Sequence, residues 1–238
     1  MNRYLYELHL HTKEGSGCAV SSGAEMADRY KSAGFDGIFV TDHFFNGNCA
    51  VSNEIPWKER VELYCKGYEN AKARGDEIGL KVFFGWEYTY HGSDFLTYGL
   101  DKEWLKAHSE VMDFDIKQYC DFIHLNGGFI IHAHPFRERG YIEKMTLVPR
   151  SVDAVEGFNG GHLPDFEEFN QRAVWYANSY GLPITAGSDN HNAGGSITGG
   201  IAAEKPINSC GELLDVIRSG GYSIYWKGEI IPVPKNKI

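Results

Sequence analysis

The sequence predicts an α/β protein, a mostly parallel sheet covered by helices as a barrel or a doubly wound layer. Three observations predict it. Strand-like and helix-like patterns alternate over nearly all 238 residues. Some strand patterns, such as Gly37–Thr41 (GIFVT), are continuous apolar runs suited to a strand covered on both faces. No Pro/Ser-rich linker, charge block or internal repeat divides the chain, so residues 1–238 read as a single domain.

The elements follow in order. Tyr4–Leu10 (YLYELHL) is a short β-rich run. Ser22-Gly23-Ala24-Glu25 has the spacing of a capping box and predicts a helix to about Ala33, stopped by Gly34. After GIFVT, a helical pattern runs from Pro56 to Ile78. Lys81–Tyr90 and Phe95–Leu100 read as strands around the turn His91–Asp94. Asp115–Asn126 reads as a helix, and Phe129–Ala133 and Val152–Phe158 as strands. Pro164–Tyr180 reads as a helix stopped by Gly181, followed by the strand Pro183–Gly187. A second capping-box spacing, Ser209–Glu212, opens a helix to Ser219, and the strand Tyr222–Trp226 ends the series.

Composition excludes several classes. With 42% apolar and 14% aromatic residues the chain can build a full core, burying about 70–75% of its unfolded surface. Its 23% charged residues rule out a disordered chain, and 28 glycines with 8 prolines and no three-residue period rule out collagen. No apolar run reaches the roughly eighteen residues of a membrane span. The N-terminus reaches His9 and His11 before a cleavable signal could form, which predicts a cytoplasmic protein. A net charge of −9 argues against long nucleic acid and anionic membranes, leaving room for a small anion at a local cationic site. The five cysteines form no C-x-x-C pair and predict neither a zinc ribbon nor a disulfide framework.

Histidines and acids fall at strand ends: His9 and His11, Asp42 and His43, Glu87, His132 and His134, Glu156 and Asn159, Asp189 and His191. In parallel β/α folds chemistry collects at that end of the sheet. Residues i and i+2 of a strand share a face, so His9/His11, His132/His134 and Asp189/His191 can each enter one cavity as a pair. Imidazoles and carboxylates in one pocket suit zinc, manganese or iron. Burying so many without cations would be costly. Each pair alone is a weak signal; the whole set after successive strands is a strong one.

The set resembles the PHP (polymerase and histidinol phosphatase) superfamily of metal-dependent phosphoesterases. The motifs run in order as His9-Leu10-His11-Thr12, Thr41-Asp42-His43, Gly85-Trp86-Glu87, Ala133-His134-Pro135-Phe136-Arg137, Val155–Asn159 and Gly187-Ser188-Asp189-Asn190-His191. The resemblance implies a distorted (β/α)7 barrel with two or three divalent ions at its carboxyl face. It implies one metal held by His9, His11, Glu87 and Asp189, and a second sharing Glu87 and held by His134 and Asp94, with His91 as the substitute for Asp94. It implies a third held by His43 and His191. Where many members have a further histidine, this chain offers Glu14 or Cys18 instead. Asp42 is expected to orient ligands, and His132 to be a wall residue. His108, His124 and His162 are expected at the surface.

Two divalent ions would make a bridging water hydroxide-like, able to attack phosphorus in line without a side-chain nucleophile. Arg137 is expected to bind a phosphoryl oxygen or else to pair with Glu138 or another acid. Asn159 is expected to bind substrate or orient a ligand. Asp189 and His191 are expected to join Arg137 in catalysis, His191 as proton donor to the leaving alcohol. The expected partner is a small phosphorylated substrate, a phosphomonoester or nucleotide phosphate such as histidinol phosphate. The alternatives are an amidohydrolase-type hydrolase and a non-catalytic metal-binding module.

Overall fold

A computed structural model describes residues 3–142 and 144–235. The first half of the chain comprises β1 (Tyr4–Leu10), α1 (Gly23–Ser32), β2 (Gly37–Val40), α2 (Trp57–Tyr64), α3 (Lys66–Ile78), β3 (Lys81–Tyr90), β4 (Ser93–Tyr98), α4 (Lys102–Ala107) and α5 (Ile116–Leu125). The second comprises β5 (Phe129–Ala133), β6 (Ala154–Asn159), α6 (Glu167–Tyr180), β7 (Ile184–Gly187), β8 (Gly199–Ala203), α7 (Cys210–Ser219), β9 (Tyr222–Trp226) and β10 (Glu229–Ile231). Among the described residues, no helix is long and apolar enough to cross a membrane.

Local chemistry sets the helix ends. The Ser22–Glu25 capping box forms as expected, the Ser22 hydroxyl accepting from the Glu25 amide and the Glu25 carboxylate accepting from the Ser22 amide. At α7, Ser209 caps through the Glu212 amide, while the Glu212 carboxylate turns instead to the Asn208 amide. The single helix expected over 56–78 is two, broken at Cys65, so that α2 packs on α4 while α3 packs on α1. The helix expected from Pro164 begins at Glu167.

The strands form one curled sheet in the order β10-β9-β8-β1-β2-β3-β4-β5-β6-β7. Four pairings are parallel (β1–β2, β2–β3, β5–β6, β6–β7) and the others antiparallel, which corrects the expectation of a mostly parallel sheet. The short turn at His91-Gly92 cannot carry a parallel crossover, so β3–β4 is a hairpin, and β4 runs antiparallel to β5 as well. The Gly/Ala-rich β8 and the three-residue β10 carry too little periodic signal to be read from sequence.

The β7 end of the curl returns to β1. Its first half pairs with β8, while Leu10 bridges in parallel to Asn190, just beyond β7, and the His11 amide donates to the Asn190 carbonyl at 2.9 Å. The sheet is thus a distorted α/β barrel. Its interior holds Leu8, Phe39, Leu96, Tyr98 and Ile131 in one buried cluster, and the Tyr98 hydroxyl donates to the Leu8 carbonyl at 2.7 Å. Closure brings β1 and β7 close enough to share a site.

β8 lies so near β7 that a Cβ on Gly199 would stand 2.3 Å from the Gly187 carbonyl oxygen. Backbone cannot yield as a side chain can, so Gly199→Ala is expected to destabilise the fold by about 1–3 kcal/mol. Denaturant unfolding checks this; wild-type stability in the variant would contradict the tight β7–β8 approach.

Candidate metal centre

β1, β3, the start of β4, and the segments just after β1, β2, β5 and β7 bring seven imidazole and carboxylate side chains around Glu87, which is fully buried. Its Oε1 faces His9 Nε2 at 3.2 Å and His134 Nε2 at 3.1 Å. Its Oε2 faces His43 Nδ1 at 2.6 Å and His11 Nε2 at 3.7 Å. Asp189 Oδ1 closes the other side, 3.2 Å from His11 Nε2, 3.5 Å from His9 Nε2 and 3.7 Å from His191 Nδ1. Asp94 Oδ2 stands 3.9 Å from His134 Nε2. The donors fall into four overlapping sets, each within 4.8 Å: His9-His11-Glu87, Glu87-Asp94-His134, His9-His134-Asp189 and His11-His43-His191.

These residues fit divalent cations. The Nε2 atoms of His9 and His11 face one another at 3.1 Å, and a single proton at most can lie between them. His43 Nδ1 and Glu87 Oε2, though close, are not aligned for a hydrogen bond and are buried without partners. A cation between such donors would satisfy them all, and the nitrogen–oxygen set suits zinc, manganese or iron.

Buried partners aim the imidazoles. His9 Nδ1 meets Glu156 Oε1 at 2.9 Å and His11 Nδ1 meets the Ser16 hydroxyl at 3.0 Å, so both rings turn Nε2 inward. Asp42 accepts from Ser16, from the Thr12 hydroxyl and from the Thr12 amide, locking the β1–β2 end as its expected orienting role requires. Glu156 Oε2 accepts from the His134 amide and from Asn159 Nδ2. Two of the inward residues sit in the left-handed backbone region, His134 at φ 28° and Asp189 at φ 52°. Such backbone is strained for residues other than glycine and collects at functional sites.

The electrostatics set burial against close opposite charges. Burial pushes the Glu87 carboxyl up, but His43 and His9 outweigh it and hold it well below its ordinary range. Asp189 is likewise held low against burial, by His9 and Arg137. Burial and the neighbouring His191 and His43 push the His11 imidazole well down, toward the neutral form that can ligate. His43 goes up to about 11, burial being outweighed by Glu87. Asp94 rises to about 6 through burial and the nearby Glu87.

Arg137 reaches into the same end of the barrel. Its Nη2 donates to Asp189 Oδ2 and Asn159 Oδ1, and its Nε to His162 Nε2 at 3.4 Å. Its partner is therefore Asp189, and Glu138 instead pairs with Arg172. Nη1 makes no hydrogen bond to the described residues, and Arg137 lines a cavity of about 500 Å³ together with Cys18, His43, Asp94, Tyr141 and His191. Asn159, expected against substrate, is fully buried and ties Glu156, Asp189 and Arg137 together.

Other expectations change. His132 does not pair with His134: it joins none of the donor sets, its ring stacks on Phe95 at 4.6 Å, and neither nitrogen has a partner. The i, i+2 rule fails there because His134 lies one residue past β5 and its left-handed backbone turns it inward. Glu14 binds the Gly23 amide and Asn70 away from the cluster, whereas Cys18 lines the cavity beside His43 and His191. His91 stays outside the donor sets, against Tyr90. His162 is buried, not at the surface, with Nδ1 on Asn170 at 2.8 Å, and burial next to His134 lowers it to about 3. His108 and His124 pair with Glu110 and Asp153 near the surface.

Glu7 is the main residue missed. It is fully buried and accepts from the His9 amide, the Ser188 amide and the Tyr30 hydroxyl, joining β1 to the β7 end. It lies two residues before His9 on one strand, and that same spacing was the signal available.

Residues 167–221 match a family model described as PHP-associated. No curated protein matches the sequence. A two-domain Bacteroides vulgatus protein, reported to contain a PHP-like metal-dependent phosphoesterase inferred for it, superposes with TM-score 0.70 at 16% identity, over 96% of this chain. This chain spans 66% of that protein. A candidate metal-dependent phosphoesterase from Bifidobacterium adolescentis superposes with TM-score 0.55 at 14% identity, over 91% of this chain and 96% of that one. An amidohydrolase from Chromobacterium violaceum, solved with bound sulfate and no metal, gives TM-score 0.56 at 15% identity, over 89% and 96% of the two chains. The fold is that of the PHP-like proteins. The PHP-associated match is confined to residues 167–221, which include α6, β7, β8 and α7.

Burial pushes the Glu7 carboxyl up to about 7, against the hydrogen bonds from Ser188, His9 and Tyr30. Between pH 4.5 and 7 the unfolded chain loses this proton while the folded chain keeps it, so stability falls as pH rises. In metal-free protein, wild type is expected to lose up to about 3 kcal/mol between pH 4 and 8 relative to Glu7→Gln. Parallel stability–pH curves for the two would contradict the shift.

Proposed function

We propose that the chain is a metal-dependent hydrolase of small phosphomonoesters or nucleotide phosphates. The observation that carries this reading is Glu87, each of whose oxygens faces two imidazoles, beside an arginine that fronts an open cavity. His9, His11, Glu87 and Asp189 would hold one ion, Glu87, Asp94 and His134 a second, and His43 with His191 a third, with Cys18 alongside. Zinc, manganese or iron suits these donors, and such ions lower the pKa of water and neutralise phosphoryl oxygens.

The chain's own groups would do the rest. The free Nη1 edge of Arg137 would take a phosphoryl oxygen and set the ester in line. Asn159 and His162 would hold the guanidinium in place. His191 lines the cavity; burial lowers its imidazole, but Cys18 and Asp189 outweigh that and raise it above its ordinary range. Where it is not held by the third ion, its ring would protonate the leaving alcohol. Asp189 would fix His191 and Arg137 across the reacting group.

The Chromobacterium violaceum neighbour was solved with bound sulfate and no metal, and its name keeps C–N hydrolysis as the second reading. No lysine stands in any of the four donor sets, so the bridging carboxylated lysine of many such hydrolases has no counterpart there.

Metal analysis of purified protein with a hydrolysis panel of phosphomonoesters, amides and lactones tests both readings. Metal with turnover of phosphate esters alone is expected; turnover of amides or lactones alone would overturn the phosphatase reading. His134→Ala or Asp189→Ala is expected to abolish turnover and lower metal content while the chain still folds. Glu156→Gln, which alters the support behind His9 Nδ1, the His134 amide and Asn159 without removing a donor that faces the cluster, is expected to cost about 10–100-fold in activity or metal affinity. Unchanged metal content and rate in all three variants would contradict the assignments.

A further inference from the structure

Arg60 on α2 is only 9% exposed, yet among the described residues it pairs with no carboxylate. Its guanidinium stacks on the Phe45 ring with 4.3 Å to the centroid, and one Nη2 donates to the Phe45 carbonyl at 3.4 Å. Its Nε is buried without a partner. Burial lowers its pKa, and the one opposing group is the Cys49 thiol. A buried cation without a counter-charge is costly, and a planar fork of donors is matched by a carboxylate or phosphoryl group.

The surroundings leave room for one. Arg60 lines a cavity of about 300 Å³ under the loop of residues 45–53, together with Cys49, Ala50, Ser52 and Asn53. Gly47 lines both this cavity and the one at the metal centre, so the two adjoin along a single loop. Cys49 lies within electrostatic reach of Arg60 on one side and of Asp42 and His43 on the other.

We infer that Arg60 is a second anion subsite, and that the substrate is a phosphomonoester carrying a further carboxylate or phosphoryl group that reaches the 45–53 loop. This rests on the phosphatase reading for the reaction, but the anion site itself can be tested without turnover. Two variants address it. Arg60→Gln removes the charge. Ala50→Glu, at an exposed position on the cavity rim, supplies an internal carboxylate while leaving the packing of Arg60 on Phe45 intact, so it keeps the test open should Arg60→Gln fail to fold.

The first arm is calorimetric titration of chelator-treated protein with malonate and, separately, with pyrophosphate. Binding of one or both to wild type, weakened about 10–100-fold in each variant, is expected, and which anion binds assigns the carboxylate or phosphoryl class. Affinities equal in wild type and both variants, or no binding, would overturn the subsite. The second arm compares phenyl phosphate with para-carboxyphenyl phosphate and a bisphosphate ester on metal-loaded enzyme. Each variant is expected to raise KM about 10–100-fold for the doubly anionic esters, leaving kcat and phenyl phosphate unchanged. Equal effects on all esters would overturn it. Anion binding lost in the variants, with no ester hydrolysed by wild type, would reject the phosphatase reading while upholding the subsite.

Discussion

The site depends on how a carboxylate with no access to water is kept ionised. Glu87 is fully buried, and what holds its charge is four imidazoles, two facing each oxygen. An isolated buried carboxylate would take up a proton; one ringed by imidazoles that can themselves be neutral can hand its charge to a cation. His9 and His11 are turned by Glu156 and Ser16 so that their inner nitrogens face each other, an arrangement that protons alone satisfy poorly and shared ions satisfy well.

The fold exists to bring these groups together. β1 is the hub: it contributes Glu7, His9 and His11, pairs with β2 and β8 along its length, and at its end meets the Asn190 segment beyond β7. That last contact places Asp189 opposite Glu87, and the β3–β4 hairpin brings Asp94 beside His134. Buried acids behind the donors, Glu7, Asp42 and Glu156, each collect several hydrogen bonds and hold the strand ends in register. The barrel end is thus lined with charge, while the interior holds an apolar cluster that includes Leu8 and Phe39.

Much of this was legible in the sequence, and the exceptions have physical causes. The strand and helix order and the two capping positions could be read because local periodicity and cap chemistry determine them. His9 and His11 were legible as a pair because β1 is extended. His132 lies in the wall against Phe95, as the motif implied, and the i, i+2 pairing with His134 is lost because β5 ends one residue before His134. The hairpin at β3–β4 lowered the parallel content below what alternating elements suggested. Glu156 meets His9 across 147 positions and Arg137 meets Asp189 across 52, and no local pattern encodes either contact. Arg60 was invisible for a different reason: its meaning lies in the missing counter-charge, which only packing reveals.

The central claim is that Glu87 joins two cation positions at the carboxyl end of the barrel. Anomalous X-ray scattering from crystals of metal-loaded protein, recorded at the absorption edges of zinc, iron and manganese, tests it most directly. The account predicts at least two peaks, one among His9, His11 and Asp189 and another between His134 and Asp94, with Glu87 touching both. Peaks confined to the protein surface, with the Glu87 cluster empty in fully loaded protein, would contradict it.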